Sequence, residues 1–126
     1  MNRELPRKKC VLVVDDEPRI GKILGIKLSL FGYDTLTVTS GAEALKIVES
    51  QNPDLMLLDI VMPVMDGFEV LSRLRTFSKL TVIAFSARSE NGPRALEFGA
   101  NAFVAKPFDV DNLITKARKM MGDIDS

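Results

Sequence analysis

Five short apolar runs punctuate the chain: Cys10–Val14, Leu36–Val38, Leu55–Leu58, Val82–Phe85 and Ala102–Ala105. Each is nearly unbroken in apolar residues, which is the pattern of strands covered on both faces rather than on one. Between the runs the spacing changes to that of a helix. Ile20, Ile23, Leu24, Leu28 and Phe31 repeat at helical intervals, with Pro18 suited to a first turn and Gly32 to a stop. Ser40 with Glu43, and Asp66 with Glu69, form capping pairs ahead of further apolar periodicity. The span from Pro93 to Phe98, stopped by Gly99, predicts a helix of barely two turns, and Asp109 opens a last one with Leu113, Ile114, Ala117, Met120 and Met121 on one face. Strand and helix therefore alternate five times. This predicts a doubly wound α/β fold with a parallel five-stranded sheet and five helices, and a ligand site at the carboxyl ends of the strands.

Composition narrows the chemistry. A chain of 126 residues suits one domain, and every motif must share its core. The absence of histidine excludes Ser-His-Asp and Cys-His catalysis, His-ligated metals and an imidazole base. With 17 basic and 17 acidic residues there is no net positive charge to hold a polyanion, so direct nucleic-acid binding is not expected. Cys10 is the single cysteine and cannot form an internal disulfide, which fits a reducing, cytoplasmic setting. No apolar run approaches the ~18 residues of a membrane span, so no membrane partner is expected.

The residues that end the strands carry the signal. Asp15 and Asp16 follow the first run, Asp59 the third, Ser86 the fourth and Lys106 the fifth, so all should meet at one sheet edge. Three converging carboxylates repel unless a cation lies between them, and an all-oxygen set suits a hard ion such as Mg²⁺. Lys106 and Ser86 supply a compact positive charge and a hydroxyl donor, a pairing suited to phosphate. A carboxylate can itself attack phosphorus, and such a site needs no histidine. Taken singly, Asp15 or Asp16 could cap the first helix and Lys106-Pro107 could be a strand exit; the constellation is what points to phosphoryl chemistry.

From about Lys9 to Met121 the chain resembles the receiver domain of bacterial two-component response regulators. The resemblance is carried by Asp15-Asp16-Glu17-Pro18, by Asp59-Ile60-Val61-Met62-Pro63-Val64-Met65-Asp66-Gly67, and by Ser86-Ala87, Gly99-Ala100 and Lys106-Pro107-Phe108. It implies a flavodoxin-like sheet of order 2-1-3-4-5 over residues 9–121, with 1–8 as an extension and 122–126 as a tail. It implies that Asp59 is the phosphoacceptor and that Asp16, Asp59 and the Val61 carbonyl hold Mg²⁺, with Asp15 acting largely through water. Lys106 would bind a phosphoryl oxygen, and Ser86 and Phe103 would form a switch pair. The implied partners are a histidine kinase or phosphotransfer protein and a downstream effector. The chain would not be an enzyme with a separate substrate; the alternatives are a degenerate docking receiver and an aspartyl-phosphate phosphatase.

From Ser86 to Gly99 the chain is shorter than the common family pattern, which reshapes the fourth helix. On the surface that many relatives use for symmetric pairing, Asn101, Ala102 and Asn112 stand where acids are usual, while Lys116 and Arg118 remain basic. The expectation is a mainly monomeric domain.

Overall fold

The computed structural model describes residues 7–125. Five strands, β1 (Cys10–Val14), β2 (Asp34–Val38), β3 (Leu55–Asp59), β4 (Val82–Ser86) and β5 (Ala102–Ala105), alternate with five helices: α1 (Pro18–Leu30), α2 (Gly41–Gln51), α3 (Gly67–Leu74), α4 (Asn91–Glu97) and α5 (Val110–Met120). The sheet is wholly parallel and ordered β2-β1-β3-β4-β5, as the strand pattern and the resemblance imply. No helix among the described residues is long and apolar enough to cross a membrane.

Strand alternation divides the core in two. Leu12, Val14, Met56, Leu58, Val82 and Ala84 face α2, α3 and α4, packing with Ala44, Val48, Leu71, Leu74 and Ala95. Val11, Val13, Leu55, Leu57, Ile83 and Phe85 face the other way, onto Leu24 and Leu28 of α1 and Leu113, Ile114 and Ala117 of α5. Both faces of the three central strands are therefore dry, which explains why their sequences show apolar runs and no alternation.

The helix starts follow the capping signals. Ser40 Oγ accepts from the Glu43 N–H, Asp66 from that of Glu69, and Asp109 from that of Asn112. After α1 the Gly32 N–H bonds back to the Ser29 carbonyl, ending the helix where its apolar periodicity stops. Two boundaries differ from the sequence reading. Strand β2 begins at Asp34, because an edge strand pairs on one side only and tolerates the polar Asp34 and Thr35. Helix α4 begins at Asn91, with Pro93 inside its first turn, where a proline's missing N–H costs no bond.

The ends of the described chain are tied down. Arg7 pairs with Asp54 at 3.0 Å, and Lys9 Nζ lies 2.7 Å from both Asp123 and the Met121 carbonyl. Tyr33 donates its hydroxyl to Asp123 at 2.6 Å. Residues on both sides of the 9–121 span thus pack on the domain.

The reshaped surface near α4 also differs from expectation. The Asn101 side-chain oxygen accepts from the Val82 N–H at 2.8 Å and from Arg75 at 3.3 Å, so it serves the start of β4 from its place just ahead of β5. Arg118 is not on that surface: its guanidinium stacks 4.6 Å from the Phe31 ring, at the end of α1. Lys116 alone of the two basic residues lines the hollow formed by Val104, Ala105, Phe108, Asp109 and Asn112. Helical periodicity puts positions 116 and 118 about 200° apart, which explains the separation.

Candidate phosphoryl and metal site

The β1, β3, β4 and β5 ends bring the site together. Asp59 is the last residue of β3, and the segment after it is held tightly: a Cβ on Gly67 would lie 2.6 Å from Ile60 Cα and 2.8 Å from the Asp59 carbonyl oxygen. Only glycine lets the start of α3 approach the Asp59 loop this closely. Inside the loop Val64 has φ 68°, with the Met65 N–H bonded to the Pro63 carbonyl at 2.8 Å. A β-branched residue is disfavoured there, and its fully exposed side chain gains nothing from packing. Val64→Gly should therefore raise stability by about 1 kcal/mol, after glycine's own entropic cost, in a urea titration. An unchanged or lowered midpoint would show that the turn is not strained.

Asp15, Asp16 and Asp59 each offer a carboxylate oxygen within 4.8 Å of the others. Asp15 and Asp59 are 2% and 4% exposed, whereas Asp16 is open to solvent. Asp15 is already engaged: one oxygen accepts from the Glu17 N–H at 2.8 Å, and the other lies 3.3 Å from Lys106 Nζ. The same ammonium is 3.5 Å from Asp59, whose other oxygen accepts from the Val61 N–H at 3.1 Å. Lys106 thus bridges two buried carboxylates. Its backbone is anchored by an N–H bond to the Ser86 carbonyl at 2.8 Å.

The charges respond to this crowding. Burial, and then the neighbouring Asp15, push the Asp59 carboxyl up to about 6, only partly opposed by Lys106. Burial also raises Asp15, against its Glu17 and Lys106 bonds. For Lys106, burial works against the charged form, but Asp59 and Asp15 more than offset it and its pKa lies above the ordinary value. One ammonium for three acids leaves the centre short of positive charge. An all-oxygen set of this kind fits a small divalent cation.

Ser86 is fully buried beside this centre, and its Oγ accepts from the Arg88 N–H at 3.0 Å and from Asn91 at 3.1 Å. Phe103, in the middle of β5, is half-buried against the core on the α4 side. The structure thus brings Asp15, Asp16, Asp59 and Lys106 into one cluster, with Ser86 engaged beside it on the α4 side. A fourth helix expected to start at Pro93 leaves Asn91 outside it, so the Asn91 contact is not foreseen from the sequence; a polar residue five positions beyond Ser86 is the available signal.

A parallel sheet whose carboxyl edge holds three acids and a lysine defines a flavodoxin-like domain with an acidic centre. Residues 11–118 match the family described as the response regulator receiver domain, and the chain belongs to it. It is 37% identical over 121 residues to a probable transcriptional regulator, ycf27, of Porphyridium aerugineum, covering 94% of this chain and 50% of that protein. It is 40% identical over 110 residues to the transcriptional regulatory protein KdpE of Mycobacterium tuberculosis, covering 86% of this chain and 49% of that one. The chain spans about half the length of the curated relatives it matches. Among solved structures it resembles the response regulator TrrA of Thermotoga maritima, crystallised with Mg²⁺ and BeF, at TM-score 0.81 and 38% identity, covering 89% of this chain and 98% of that one. A Francisella response regulator receiver domain aligns at TM-score 0.85 and 32% identity, covering 91% and 98%.

Proposed function

We propose that this receiver domain, residues 9–121, accepts a phosphoryl group on Asp59 in a Mg²⁺-dependent reaction and answers by rearranging the surface around α4 and β5. The carrying observation is the Lys106 ammonium, 3.3 Å from Asp15 and 3.5 Å from Asp59, within a cluster of acids that one lysine does not neutralise. An Asp59 carboxylate oxygen attacks phosphorus, and its new O–P bond forms as the donor's bond to phosphorus breaks. With a phosphohistidine donor the electron pair returns to the imidazole nitrogen, which takes a proton from water. Lys106 neutralises charge on the transferring oxygens, and the Ser86 hydroxyl donates to one of them. Asp16, Asp59 and the Val61 carbonyl would hold Mg²⁺, with Asp15 acting through water; the ion would supply further positive charge at the transferring group.

The partner that supplies the group is a histidine kinase or phosphotransfer protein, in a cytoplasmic setting, and the output goes to a downstream effector. The only reaction promoted is the chain's own phosphorylation and dephosphorylation. The test is intact-mass measurement after incubation with acetyl phosphate. One phosphoryl group should be added with Mg²⁺ and none with a chelator, and uptake that ignores the chelator would contradict the proposal.

A further inference from the structure

The Ser86 hydroxyl is engaged on the α4 side. Its oxygen has two lone pairs, and the Arg88 N–H and the Asn91 amide occupy both, at 3.0 and 3.1 Å. Among the described residues no hydrogen bond joins it to Asp59 or Asp15. Asn91 is the first residue of α4, and Gly92 follows it against the Phe103 ring: a Cβ on Gly92 would stand 3.0 Å from Phe103 Cδ2. Two consecutive residues therefore touch both the hydroxyl next to the acidic centre and the aromatic ring of β5. Little else secures this turn. Glu90, at the cap position, makes no side-chain bond, and the Asn91 and Gly92 N–H groups reach back only to the Arg88 and Ser89 carbonyls.

We propose that Asn91 is a latch: its amide holds the Ser86 hydroxyl on the α4 side while Asp59 is unmodified, and releases it when the hydroxyl turns to a phosphoryl group on Asp59. This rests on the phosphoryl reading above. The exchange is favourable because a bond from the hydroxyl to a phosphoryl dianion is charge-assisted, whereas the one from the neutral amide is not. The freed amide is not stranded, since Asn91 is only half-buried, at the rim of a hollow of about 270 Å³ shared with Val61, Asp66 and Arg88. Losing the Asn91 tie loosens the first turn of α4 and removes the support behind Phe103, so occupancy of the acidic centre is passed to α4 and β5 together. A contact present in one state only shifts the balance by its own worth, about fivefold for one neutral hydrogen bond.

The test is a beryllofluoride titration with Mg²⁺, followed by amide NMR, of wild type, Asn91→Ala and Asn91→Asp, each with and without Ser86→Ala. Asn91→Ala should lower the half-saturating beryllofluoride concentration about fivefold. Asn91→Asp should raise it, because a carboxylate accepts the Ser86 proton and draws it away from Asp59. In the Ser86→Ala background Asn91→Ala should have no effect, and Asn91→Asp should keep only the salt-sensitive part that its added charge brings. The latch is overturned if Asn91→Ala binds no tighter than wild type, if Asn91→Asp binds no more weakly, or if the Asn91→Ala effect persists without the hydroxyl. The unliganded spectra report whether each variant is folded. A wild type that takes up no beryllofluoride would overturn the Asp59 reading and the latch with it, whereas normal wild-type uptake with inert Asn91 variants overturns the latch alone.

Discussion

In metal-free buffer above pH 7, Asp59→Asn should be more stable than the wild type by about 3 kcal/mol, although it loses the ability to take up a phosphoryl group. The reason is the energetic cost of ionising Asp59. Its carboxyl titrates at about 6 in the folded chain against 3.8 ordinarily, with burial the main cause and Asp15 the second. The folded state therefore binds this proton more tightly than the unfolded state. That contribution to stability is complete below about pH 4 and is lost as pH rises through 6. A difference of this size corresponds to about 3 kcal/mol. The side chain is only 6% exposed, so solvent screening takes little from it. Asparagine fills the same space without the charge, so the two stability curves should coincide near pH 4 and separate through pH 6. Adding Mg²⁺ should narrow the gap by stabilising the wild type more than the variant, which lacks one of the carboxylates. Urea titrations at several pH values measure this. Parallel curves would mean that Asp59 is not destabilised by its surroundings.

Lys106→Met should have the opposite effect on stability and a larger one on signalling. Removing the ammonium leaves Asp15 and Asp59 buried, close together and without their shared cation. Breaking a buried pair in this way typically costs 3–5 kcal/mol. Because Lys106 is 22% exposed and the carboxyls can take up protons, about 2 kcal/mol is expected at neutral pH in metal-free buffer. Mg²⁺ should restore much of it. The variant should still bind Mg²⁺, but beryllofluoride should no longer shift the amide signals of Ser86, Asn91 and Phe103, since the charge that reads the new anion is gone. Wild-type shifts in this variant would remove Lys106 from the response.

The architecture was legible because the central strands are buried on both faces and three of the helices start at side-chain caps. Leu55–Leu58 and Val82–Phe85 read as strands from composition alone, and Ser40, Asp66 and Asp109 marked helix starts that the backbone uses. What escaped depends on orientation rather than on pattern. The polar edge of β2 lacks the apolar signature, and the start of α4 hid behind a proline. Arg118 and Lys116 are near neighbours in sequence, yet helical geometry sends one to the Phe31 ring and the other to the β5 side. The site was legible as a set, because each residue ends a strand of a parallel sheet and the fold carries those ends to one edge. That Lys106 would bridge Asp15 and Asp59, and that Ser86 would be held by Asn91, were not legible, since both depend on side-chain positions within a few ångströms.

Locating the modified residue directly tests whether Asp59 is the phosphoacceptor. After phosphorylation with acetyl phosphate and Mg²⁺, borohydride reduces an aspartyl phosphate to homoserine, and peptide mass spectrometry then reports its position. Homoserine is expected at position 59 and at no other aspartate, with Asp15 and Asp16 intact. Homoserine at Asp15 or Asp16, or a phosphate that survives acid and borohydride on a serine, would contradict it.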